Sequence, residues 1–197
     1  MKIHQHMRTL AIGLSLAIGA AAVVPIAMAS QAGSMSMQKT VMVGGAAMYP
    51  SKNIVQNAMN SKDHTTLVAA VKAAGLVDTV SGPGPFTVFA PTNEAFAALP
   101  AGTVDNLLKP ENKATLTKIL TYHVVPGKMT SRDLERAVMA GGGKAVLKTV
   151  EGDSITVAKN GTAWTITDDK GNVANITIAD VMQSNGVIFV IDKVLMP

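Results

Sequence analysis

Phe86-Thr87-Val88-Phe89-Ala90-Pro91-Thr92-Asn93-Glu94-Ala95-Phe96 is the stretch on which the fold turns. Its first five residues form a short apolar run of β-forming side chains and predict a strand. Pro91 stops that strand, because proline lacks the N–H that a ladder needs. Thr92 then caps a helix that starts at Asn93, and Glu94 in its first turn suits the positive end of the helix dipole. Just upstream, Gly82-Pro83-Gly84-Pro85 is a rigid turn that feeds the strand.

Outward from this stretch the chain is helical before it and strand-rich well after it. Ser51 caps a short helix predicted to run through Asn60. Asp63 to Thr66 offers capping side chains ahead of Leu67, Ala70, Val71 and Ala74, an apolar stripe at helical spacing that Gly75 ends. Downstream, Thr103 is read as a cap before Val104, Leu107 and Leu108. Pro110 suits the first turn of a helix with the buried stripe Leu116, Ile119 and Leu120. Thr130 with Asp133 three residues on has the form of a capping box before Leu134.

After Gly141-Gly142-Gly143 the period changes to two. Residues 145–150, 154–159, 162–167 and 173–178 read as strands separated by Gly-, Asn- and Asp-rich turns. Val187 to Ile191 is five apolar residues in a row, the pattern of a strand buried on both faces. Helices gathered in the first half and antiparallel strands in the second imply an α+β domain.

The N-terminus predicts an address. Lys2 and Arg8 precede an apolar, Ala-rich run from Leu10, Pro25 breaks it, and Ala27-Met28-Ala29 has the small-x-small form of a signal-peptidase site. Residues 1–29 are therefore read as a signal peptide, 30–47 as a flexible Gly/Ser/Gln linker and 48–197 as the domain. Removing 29 of 197 residues leaves 168, enough for one domain with a sizeable core. Taking Lys2 and Arg8 from 17 basic residues leaves 15 against 13 acidic ones, a net charge of +2. That is too little to suggest a nucleic-acid partner. No membrane span is expected after cleavage.

The same residues exclude much chemistry. With no cysteine in the chain there is no disulfide, thiolate metal site or cysteine nucleophile. Gly141-Gly142-Gly143-Lys144 fails the phosphate-loop rule twice, with Val138 where a Gly is required and Ala145 in place of Ser or Thr. Asp168-Asp169-Lys170-Gly171-Asn172 lacks the spacing and final Glu of a calcium loop. Only His64 and His123 remain after cleavage, too few for a zinc site, and no G-x-S-x-G elbow presents a nucleophile. No metal, cofactor or catalytic residue is expected.

Three segments carry a resemblance. FTVFAPTNEAF (86–96), YHVVPG (122–127) and GVIFVIDKVLMP (186–197) resemble, in that order, the signature segments of fasciclin-like domains. HTTLVAAVKAAGL (64–76) is similar to the compact secreted bacterial members. The resemblance implies a β-sandwich wedge with helices packed along it, and extracellular adhesion without enzyme activity. In animal relatives the Tyr-His segment is linked to integrin contact, which here falls on Tyr122 and His123. Those residues can equally be buried groups whose polar ends satisfy backbone partners. Phe189 stands where many relatives carry His, and no Arg-Gly-Asp tripeptide is present.

The expectation is an exported, non-catalytic binding module, periplasmic or secreted, whose partner is a cell-surface or matrix protein or glycan. The alternative is a periplasmic or secreted carrier of a small apolar ligand held between helices and sheet. An enclosed apolar cavity of a few hundred Å³ would favour the carrier, and a packed core would favour surface recognition.

Overall fold

The computed structural model describes residues 40–197. The expected signal peptide and residues 30–39 of the expected linker lie outside the described residues. The chain opens with a hairpin, β1 (Val41–Val43) and β2 (Ala46–Met48), followed by α1 (Ile54–Ala58), α2 (Thr65–Ala74) and α3 (Val77–Ser81). β3 (Phe86–Pro91) runs into α4 (Asn93–Ala97), with the Thr92 hydroxyl accepting from the Ala95 N–H as expected of a cap. Then come α5 (Thr103–Leu107), α6 (Lys113–Tyr122), β4 (Val124–Pro126) and α7 (Ser131–Ala140). The capping box of α7 forms as read, with Thr130 and Asp133 each satisfying the other's backbone. The strands β5 (Lys144–Lys148), β6 (Ser154–Asn160), β7 (Ala163–Thr167), β8 (Val173–Gln183) and β9 (Gly186–Ile191) complete the α+β domain.

Seven strands form one sheet in the order β4-β3-β9-β8-β7-β6-β5. The sheet folds back so that its two ends meet, and Val150, just past β5, donates its N–H to the Val124 carbonyl of β4 at 2.7 Å. This closure makes a wedge with two apolar layers. Alternate residues of the central strands serve one layer each. Phe89, Val187, Phe189 and Ile191 point inside the folded sheet, where they meet Ile155, Val157 and Ile166. Val88, Ala90, Ile188 and Val190 point the other way and pack under the helices. Every residue of β9 is buried, as its unbroken apolar run predicts.

Several local expectations are corrected. Residues 41–47 are not linker: they form most of the hairpin, which packs Val43 and Met48 into the helix-side layer at 4% and 3% exposure. Its turn sits so close to the next segment that a Cβ on Gly44 would fall 2.5 Å from Ser61 Oγ, and Gly44 has a φ of +57°. α1 is capped by Asn53, not Ser51, because Gln56 stands three residues later to complete a box. Gly102 is the N-cap of α5, and Thr103 is its first helical residue. β9 pairs with β3 in parallel, so the second-half strands are not wholly antiparallel to their neighbours. That contact is close enough that a Cβ on Gly186 would lie 2.1 Å from the Phe86 carbonyl oxygen.

Candidate functional site

Tyr122 and His123 stand at the junction of α6 and β4. The Leu116, Ile119 and Leu120 stripe pulls α6 onto the sheet, and this carries its last turn into the wedge. Tyr122 is fully buried in the inner layer. Its hydroxyl donates to the Ser154 carbonyl and accepts from the Asp169 N–H, both at 3.0 Å. Burial of the ring pushes its pKa up to about 12, because the phenolate would be poorly solvated there.

His123 is equally enclosed, at 3% exposure. Its Nδ1 lies 2.8 Å from the Ile119 carbonyl, and its Nε2 accepts from the Leu195 N–H at 2.9 Å. One neutral tautomer, with the proton on Nδ1, satisfies both partners. A second proton on Nε2 would face an amide hydrogen. Burial accordingly lowers the pKa to about 4, only partly opposed by the Ile119 carbonyl and by Asp168.

Asp168 extends the same arrangement. Its carboxylate accepts from the backbone N–H groups of Lys170, Asn172 and Met196 and from the Asn172 side chain. Leu195 and Met196 are thus fastened from within by groups far upstream. Phe189, in the place where the resemblance leads one to expect His, stacks on Phe89 with centroids 5.6 Å apart. The chemistry of this region is that of a latch on the last residues of the domain.

His64 is the second buried histidine. Its Nδ1 is 2.9 Å from Ser61 Oγ, while its Nε2, near the Ala90 carbonyl, completes no hydrogen bond. Desolvation lowers its pKa. A Ser beside a His is the pairing of a nucleophile and its base. Here both are buried, at 2% and 3% exposure, so no substrate reaches the hydroxyl. The serine and histidine are three residues apart in the sequence, a signal that motif reading passed over. Among the described residues no group of three or more His, Asp or Glu is placed to hold a metal ion.

Two features do reach solvent. The first is the outer face of β5 to β8, opposite the inner layer. Val146, Thr156, Thr167 and Val173 lie directly across from one another on the four strands. Val146 and Val173, at the two ends of this row, are 69% and 41% exposed. Lys144 and Lys148 flank Val146 on the edge strand, both exposed. The second is an apolar cleft of about 60 Å³ walled by α1, α2, α3, α6 and the start of β3 and β4. Val68, Leu76, Val80 and Phe86 are part of its lining, and Lys72 is the only charged residue there.

The sequence model of the fasciclin domain family matches residues 62–197. Protein sll1483 of Synechocystis is 49% identical over 161 residues, covering 81% of this chain and 82% of its own length. Immunogenic protein MPB70 of Mycobacterium bovis is 38% identical over 145 residues, covering 71% of this chain and 66% of its own. Among solved structures, the FAS1 domain pair of the insect cell adhesion molecule Fasciclin I superposes with a TM-score of 0.65 at 20% identity. That match covers 74% of this chain and 51% of the other.

Proposed function

The chain belongs to the fasciclin domain family, and on that premise we propose that it is an exported module that binds a cell-surface or matrix protein or glycan. It is a non-catalytic domain. What supports the reading is where this domain keeps its exposed and its buried groups. Tyr122 and His123 face inward, so contact with a partner falls to the outer sheet. There Val146, Thr156, Thr167 and Val173 form a rank of short β-branched side chains that no helix of the described residues covers. Short, stiff side chains lose little rotamer freedom on contact. The adhesive role named for the insect protein, carried to this one, fits such a face.

Export is part of the same proposal, with cleavage after Ala29 and a mature chain beginning at Ser30. Intact mass of the exported protein tests it, and a full-length product held in the membrane would refute it. Among the described residues no helix is long and apolar enough to cross a membrane.

The binding reading is tested by pull-down from host envelope and matrix fractions, with the Thr156→Arg/Thr167→Arg double variant beside the parent chain. Both positions face away from the core, so the variant is expected to lose within about 0.5 kcal/mol per site, plus up to roughly 1 kcal/mol for two like charges on directly opposed residues. Its captured partner should be lost. Equal capture by both chains would move recognition off this face.

The apolar cleft favours a second reading, the carrier of a small apolar ligand. Its volume is below a few hundred Å³, which is why surface recognition stands first. Its walls, however, are those of a ligand site: fourteen of seventeen lining residues are apolar.

A further inference from the structure

We propose that this cleft seats the hydrocarbon chain of a long-chain carboxylate, and that Lys72 and Lys113 hold the carboxylate at its mouth. The proposal rests on the carrier reading and gives it a ligand class.

The shape of the cleft limits what can enter. A space of about 60 Å³ is too small for fused rings, which leaves a single hydrocarbon chain as the apolar group of matching bulk. Water gains little there, since Val68, Leu76, Val80 and Phe86 offer it no hydrogen bond. A slender apolar chain gives up no hydrogen bond by entering and removes apolar wall from solvent. One wall can also yield. α3 is five residues long, none of them buried, and no side chain caps it. It is fastened mainly at its C-terminal end, where the Asn185 amide donates to the carbonyls of Val80 and Gly82.

The mouth supplies the sign of the headgroup. Lys72 lines the cleft from the last turn of α2. Lys113, at the start of α6, comes to the C-terminal end of the same helix, next to the lining residue Leu76: the position of a Cβ on Gly75 would be 3.3 Å from its Nζ. Neither lysine forms a salt bridge among the described residues, although five such pairs occur elsewhere on the domain. The negative end of α2 accounts for one cation here. It does not account for two unpaired ammonium groups beside an apolar slot. A carboxylate with a hydrocarbon tail answers both halves of the site, and a neutral apolar molecule answers only one.

Equilibrium dialysis of the mature chain against oleate and against oleyl alcohol tests this, since the two probes share a chain and differ in charge. Oleate should bind with one-to-one stoichiometry and at least tenfold more tightly than the alcohol. The Lys72→Gln/Lys113→Gln variant alters exposed side chains only and should bind the two probes alike. Val68→Trp fills the slot and should abolish binding of both. Should that variant fail to fold, Val77→Trp fills the slot from α3 instead. Equal binding of oleate and alcohol by the parent chain would overturn the carboxylate assignment and leave the carrier reading standing. Binding of neither probe would overturn both. Oleate binding that survives a slot-filling variant would place the ligand elsewhere. Lysine-dependent binding to phosphatidylglycerol vesicles, without binding of dissolved oleate, would make the site a membrane contact and overturn the proposal.

Discussion

The two apolar layers of the wedge are built from the same strands and behave differently. Inside the folded sheet, aromatic rings stack, Tyr122 and His123 place every polar atom on a partner, and the layer closes. Under the helices, the layer is made mostly of Val, Leu, Ile and Ala, with Met48 and Phe96, contributed by short segments. It leaves a cleft and an unpartnered nitrogen on His64. The difference follows from how the covering elements are held. Strands in one sheet are fixed to each other by backbone hydrogen bonds, so their inner faces mesh. Helices of five to ten residues rest on side-chain contacts alone and tolerate gaps. The inner layer sets the fold, and the helix-side layer has room to adapt.

Truncations separate the layers most sharply. Phe189→Ala removes a ring from the closed layer and should cost about 3–5 kcal/mol in denaturant melts. Val80→Ala on the cleft wall should cost under about 1 kcal/mol, since the site is already partly open. Comparable losses at the two positions would break the distinction. Deleting residues 40–48 withdraws Val43 and Met48 from the helix-side layer and should cost about 3–6 kcal/mol, at 1.5–3 per buried side chain. A coincident melt would return the hairpin to the status of a linker.

Acid should act through the buried histidines. For His123 the folded pKa of about 4 lies below the ordinary value of 6.5, so the neutral form is the one the fold binds. Its contribution is complete above pH 6.5 and is lost as pH falls toward 4, a change of roughly 3 kcal/mol. His64 shifts in the same direction and adds to the loss. His123→Ala should melt lower at neutral pH by about 1–4 kcal/mol, through the void and the unpaired Leu195 N–H. Its stability should then fall less steeply between pH 6.5 and 4 than that of the parent. A profile as steep as the parent's would assign the acid effect elsewhere. The smallest change expected is Tyr122→Phe, which keeps the ring and strips two hydrogen bonds. About 1–2 kcal/mol should be lost, and no change at all would mean that water replaces the hydroxyl.

Local sequence patterns foresaw those elements whose cause is itself local. Thr92 and the Thr130–Asp133 box state their helix starts outright, and the run Val187 to Ile191 states burial on both faces. That same run hides its partner, because a strand with no alternation gives no clue to its register or direction. Parallel pairing with β3 is decided by the whole wedge. The hairpin at 41–48 escaped notice because its packing rests on two buried residues, Val43 and Met48, within a Gly- and Ala-rich stretch. At the candidate sites, the Tyr-His pair is visible in the chain, but Ser154, Asp169 and Leu195 are not visible as its partners. The cleft is formed by α1, α2, α3 and α6 together, none of which announces it alone.

The latch on Leu195 has a consequence in time. His123 and Leu195 are 72 residues apart, and β3 cannot gain its parallel neighbour until β9 exists. At synthesis rates of about 5–20 residues per second, His123 leaves the peptidyl-transferase centre about 4–14 s before Leu195 does. During that interval β3 lacks its parallel partner and His123 lacks the Leu195 N–H. Closure of the wedge therefore waits for β9 and Leu195, and within the domain it is these late segments that complete the sheet begun by β3.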